Sequence, residues 1–107
     1  MWYIAVMTAK EGATRKDIYR ERAAWFDKGK EQMFRDKCKT INRYEVAGRY
    51  PLKVFFVVET DDPTALTLLA DHFGDAWESV SYPIVERGIL AAALETVQVE
   101  GLKKKKE

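Results

Sequence analysis

Residues 52–58, LKVFFVV, lie between Pro51 and the acidic turn Asp61-Asp62-Pro63 and are apolar at almost every position. The run is too short for an ordinary helix and rich in β-branched and aromatic residues, which predicts a strand. An antiparallel strand with one wet face alternates apolar and polar residues, so a run this continuous predicts cover on both faces. Its two parities differ. Leu52, Val54, Phe56 and Val58 are all apolar, whereas Lys53, Phe55, Val57 and Glu59 carry charges at both ends. The first set is expected beneath helices and the second against a partner chain.

The same patterning orders the rest of the chain. Residues 2–8 form a first strand, ending where Lys10-Glu11-Gly12 breaks the run. Thr14 and Asp17 stand three apart, the spacing of a capping box, and start a helix. At 100° per residue Ile18, Tyr19, Trp25, Phe26, Gly29 and Met33 fall in one stripe. Lys16, Glu21, Asp27, Lys28, Glu31 and Asp36 fall outside it, and Gly29 is expected to bring the backbone close to the sheet. Residues 41–47 alternate as a second strand, joined to the third as a hairpin through Gly48-Arg49-Tyr50-Pro51.

Asp62 as N-cap and Pro63 at the first helical position open a second helix, with Ala65, Leu66, Leu69, Ala70, Phe73 and Trp77 inward and an end near Trp77. Residues 80–85 are a fourth strand, at a sheet edge because Pro83 lacks a ladder donor. After Gly88 come a short helical run, ILAAALE, and then an alternating stretch, residues 96–100, expected to pair with a neighbour's sheet edge. Residues 1–100 thus form one domain, and residues 101–107 a solvated lysine-rich tail.

Composition narrows the function classes. With 18 basic and 17 acidic residues the net charge is +1, too little for an electrostatic grip on nucleic acid or an anionic membrane. One cysteine, Cys38, precludes an intrachain disulfide, and the apolar N-terminus lacks a basic flank and the length of a span, so a cytoplasmic protein is expected. One histidine and one cysteine cannot build a zinc or iron–sulfur centre, so no metal site is expected. No phosphate loop, HExxH or nucleophile elbow is present.

Strand, helix, strand, strand, helix, strand is the order of the ferredoxin-like βαββαβ fold, an α+β arrangement with two helices on one face of a four-stranded antiparallel sheet. Length, element order and the third strand resemble the dimeric α+β-barrel superfamily over roughly residues 1–88. RYEVAGRYPLKVFFVVETDDP followed by SYPIVE is similar to small domains of that superfamily. More distant relatives include muconolactone isomerases and antibiotic-biosynthesis and haem-degrading monooxygenases. The resemblance implies a homodimer pairing sheets face to face.

Candidate chemistry rests on polar residues among apolar ones. Arg22 projects into the first helix's apolar stripe, where it either snorkels to water or meets an anion. Arg43 and Glu45 share one face of the second strand and can pair with each other. Arg22, Arg43, Glu59 and Tyr82 are the candidate site: arginine to clamp a carboxylate, glutamate or tyrosine to move a proton. Tyr3 and Tyr44 could join them, with Tyr3, Ala5 and Met7 lining a cavity if Ile4 and Val6 face the helices. This suits cofactor-free isomerase or lyase chemistry on a small organic acid. The alternatives are a non-catalytic assembly module and, from the resemblance to haem-degrading enzymes, a haem protein ligated by His72.

Overall fold

A strand whose inward residues are small brings helices close, and β1 (Trp2–Ala9) is such a strand: Ala5, Met7 and Ala9 are buried. The computed structural model describes residues 1–48 and 52–106. It contains β1, α1 (Arg15–Asp27), α2 (Lys30–Lys37), β2 (Thr40–Glu45), β3 (Lys53–Glu59), α3 (Thr64–His72), β4 (Trp77–Ile84) and α4 (Ile89–Lys106). The strands form one antiparallel sheet in the order β2-β3-β1-β4, the ferredoxin-like topology. Helices α1 and α2 carry the chain from β1 past β3 to the far edge, and α3 carries it back to β4. No helix among the described residues is long and apolar enough to cross a membrane.

The core lies between one sheet face and α1, α2 and α3. Val54 and Val58 of β3 and Ala5 and Met7 of β1 meet Ile18 and Trp25 of α1, Phe34 of α2, and Ala65, Leu66 and Leu69 of α3. This bears out the parity expected for β3, with Leu52 and Phe56 packed against the cluster. On β1 the condition set for a cavity lined by Tyr3, Ala5 and Met7, that Ile4 and Val6 face the helices, is not met. Tyr3, Ala5, Met7 and Ala9 point to the helices, while Ile4 and Val6 lie opposite Val57 and Phe55 on the other face. Both parities of β1 are apolar, so only the pairing register distinguishes them. β4 is an edge strand, as Pro83 requires.

Three further expectations are corrected. The first helix divides at Gly29, whose φ of 68° is left-handed. A Cβ there would meet nothing within 4 Å, so this glycine permits a turn rather than close approach to the sheet. Within α1 it is Ile18 and Trp25 that are buried while Tyr19 and Phe26 are exposed, and after the break Phe34 is buried and Met33 exposed. The second helix stops at His72, and Trp77 is the first residue of β4, because Gly74 intervenes. Residues 96–100 are not a strand but part of α4, which runs on through Lys106 and takes in the span expected as a tail. The turn expected at Arg49-Tyr50-Pro51 falls outside the described residues.

Local chemistry explains the surviving boundaries. Thr14 Oγ1 accepts from the Asp17 amide and Asp17 returns a bond to the Thr14 amide, each at 3.1 Å, completing the capping box. These bonds hold the Asp17 carboxyl below its usual range. Asp62 Oδ1 accepts from the Thr64 amide at 3.1 Å, one residue outside the assigned helix cap. Thr60, fully buried, accepts from the Asp62 amide and donates to the Lys37 carbonyl, tying the end of α2 to the β3–α3 loop.

Candidate functional site

Arg22 on α1 and Arg43 on β2 converge on one cleft between the helices and the sheet. Its walls are aromatic: Trp25 and Phe26 from α1, Phe34 from α2, Phe56 from β3 and Phe73 after α3. They interlock edge-on, with Trp25 and Phe34 ring centroids 5.9 Å apart and Phe34 and Phe56 6.1 Å apart. The cleft encloses about 400 Å³, within the range of small-ligand sites. It leads to a narrow hollow of about 40 Å³ among Met7, Ile18, Val54 and Trp77, all buried.

The cations of the cleft are unequally matched. Arg43 pairs with Glu45 at 2.8 Å and its guanidinium sits 5.9 Å from the centre of the Phe56 ring. The Arg43–Glu45 pairing read from their shared face is therefore present. Arg35 of α2 bonds Glu31 Oε1 at 2.9 Å, and Trp25 Nε1 donates to Glu31 Oε2 at 2.5 Å. Half-buried Arg22 lies over the Tyr19 ring at 5.8 Å and forms no salt bridge among the described residues. The cleft thus holds one guanidinium with no carboxylate of its own.

Glu59 and Tyr82 do not join this constellation. Both belong to the opposite sheet face, Glu59 beside Thr40, whose hydroxyl donates to it at 3.2 Å, and Tyr82 on β4 opposite Ile4. Tyr44 lies on that face too, opposite Phe55, whereas Tyr3 packs against the core. Glu31 and Arg35 are the site residues that sequence reasoning missed. A continuous helix puts Glu31 outward, and the break at Gly29 turns it into the cleft; Gly29 itself was the available signal.

His72 does not fit a haem iron. Lys30 Nζ donates to its Nδ1 at 2.9 Å, and its Nε2–H donates to the Glu21 carbonyl at 2.7 Å, so neither ring nitrogen is free. The ring also packs on Trp25 and Phe73 at 5.2 and 4.7 Å between centroids. Among the described residues no group of three histidine, cysteine or acidic side chains is placed to hold a metal. Burial raises the Cys38 thiol above its ordinary value, so little thiolate is available there.

Residues 1–98 match the family model described as "Domain of unknown function (DUF3303)". No curated protein matches the chain. Among solved structures, that of At3g17210 from Arabidopsis thaliana is similar at 10% identity, covering 82% of this chain and 98% of its own, with a TM-score of 0.43.

Proposed function

The chain belongs to the DUF3303 family, and from that premise we propose that its cleft binds a small organic acid with an apolar or aromatic body. The observation that carries this reading is Arg22, a guanidinium without a carboxylate partner among the described residues, at an aromatic-lined cleft. A ligand carboxylate would supply the missing anion, and the aromatic walls would take its body out of water. Arg43, already paired with Glu45, would orient the acid more than attract it. Binding of this kind asks for no cofactor, and a cytoplasmic setting suits it.

Binding is favoured over isomerase or lyase chemistry by the state of the cleft's carboxylate. Each oxygen of Glu31 already accepts a bond, one from Trp25 and one from Arg35, and Glu59 and Tyr82 are on the far side of the sheet. A second reading, assembly into a homodimer, is supported by the uncovered sheet face around Phe55 and Val57.

Titration calorimetry with aryl and alkyl carboxylates, using the matching primary amides as controls, tests the binding reading. Carboxylates should bind and amides should not, and Arg22→Ala should weaken binding by about tenfold to a hundredfold, the scale of a charged hydrogen bond. Because Arg22 forms no salt bridge among the described residues, the variant should fold normally. Equal binding of amides, or an Arg22→Ala variant with unchanged affinity, would overturn it.

A further inference from the structure

Two spaces of unequal size meet at the same pair of guanidinium groups. Arg22, Arg43, Phe56 and Phe73 line both the open cleft of about 400 Å³ and the inner hollow of about 40 Å³, so these four side chains frame the passage between them. Beyond the frame the hollow is walled by Met7, Ile18, Val54 and Trp77. None of these carries a charge, and all four are buried. They come from four elements, β1, α1, β3 and β4, and Met7 and Val54 are cross-strand partners on the sheet side.

We propose that the acid bound in this cleft is branched at the carbon next to its carboxylate, with an aromatic group in the open cleft and a short alkyl branch in the inner hollow. This rests on the reading of the cleft as an organic-acid site and deepens it by naming the ligand class and the residues that limit the branch.

Size decides which group goes where. Room for one water-sized group is about 10–15 Å³, and a benzene ring occupies a cavity of roughly 150 Å³. The hollow therefore admits a branch of about three carbons and refuses a ring. The open cleft has the volume for a ring and meets it with Trp25, Phe34 and Phe56. Polarity agrees. Apart from the two guanidiniums in its frame the hollow is lined by apolar side chains, so an alkyl group there leaves water without stranding a polar atom.

Branching follows from where the charges sit. With the carboxylate held at Arg22, in the frame, the carbon attached to it lies at the passage, and both spaces open from there. An unbranched acid sends its chain into one space and leaves the other empty. A carbon carrying a carboxylate, a short alkyl group, an aryl group and a hydrogen fills both. Three of its substituents then have fixed and different places, so only one of its two mirror-image forms fits. Met7, Ile18, Val54 and Trp77 belong to the packed core, which makes the limit on branch length a rigid one.

The test is titration calorimetry on the full chain with phenylacetate and with both enantiomers of 2-phenylpropanoate, 2-phenylpentanoate and 2-phenylhexanoate, whose branches are methyl, propyl and butyl. One enantiomer of 2-phenylpropanoate should bind about fourfold tighter than phenylacetate, the gain for one methyl group taken out of water, and the other should show no gain. Affinity should rise again for the propyl branch and fall for the butyl branch. Val54→Ile, which adds a methyl group to the wall, should make the methyl branch the better of methyl and propyl. Ile18→Val, which removes one, should bring the butyl branch up to the propyl. Each comparison is a ratio within one sample, so partial unfolding of a variant leaves it readable.

Equal affinity of the enantiomers, no gain from any branch, a gain that continues through butyl, or an unchanged order of branches in both variants would overturn the branch while leaving the organic-acid site standing. Failure of phenylacetate and every branched acid to bind would overturn both.

Discussion

At the scale of single residues, a charge out of place is the most informative signal in this chain. Arg22 interrupts the apolar stripe of its helix, Arg43 shares a strand face with Glu45, and the fold brings both arginines to one cleft. Glu21 is a second misplaced charge, with both carboxylate oxygens buried and no completed hydrogen bond. Burial, aided by the like charge of Asp75, raises its carboxyl above the ordinary value of 4.5; nearby backbone amides of Ala76 and Asp75 offset only part of this. A carboxyl raised in the folded state favours the unfolded chain once it ionises. The cost is absent well below pH 4.5 and fully present above the raised value. Glu21→Gln should therefore raise the thermal midpoint at pH 7 by a few degrees. In melts across a pH series that gain should shrink towards zero below the ordinary carboxylate range.

At the scale of elements, a glycine sets the phase of everything after it. Gly29, with φ of 68°, divides one expected helix into α1 and α2, turning Phe34 and Glu31 inward and Met33 outward. Gly29→Ala should lower stability by about 1 kcal/mol in urea melts, the cost of a left-handed non-glycine residue. No steric penalty should add to this, because the new Cβ would meet nothing within 4 Å. Ligand affinity should fall with it if α2 rotates, since Glu31 and Arg35 ride on that helix. At the C-terminal end the alternation TVQVE read as a strand, but it follows ILAAALE, which nucleates a helix. Once a first turn exists, each added residue extends it at little cost, whereas a strand needs a neighbouring edge to pair with. Local alternation lost to cooperativity.

At the scale of the whole molecule, the protomer has a filled side and an open side. The helix side holds the core and the cleft, while Tyr44, Val80 and Tyr82 on the other side and residues 89–99 of α4 are exposed within one chain. If two chains close this surface, stability is linked to association by mass action. The thermal midpoint of the unaltered protein should then rise with protein concentration. That of a Val80→Lys/Tyr82→Lys variant, altered at two exposed positions of the open sheet face, should not, and differential scanning calorimetry over a hundredfold concentration range would show the contrast.

The sequence by itself determined the α+β class, the ferredoxin-like order of elements, the parity of β3, the capping box of α1 and the edge position of β4. Each of these depends on residues within a few positions of one another, where alternation, capping spacing and proline's missing N–H act directly. Tertiary structure alone decided which parity of β1 faces the helices, because both are apolar and the choice lies in the pairing of Ala5 with Phe56. It likewise decided that Glu31 and Arg35 line the cleft while Glu59 and Tyr82 do not. Those outcomes depend on the turn at Gly29 and on which side of the sheet the helices cross, geometric relations between distant segments that no local pattern encodes.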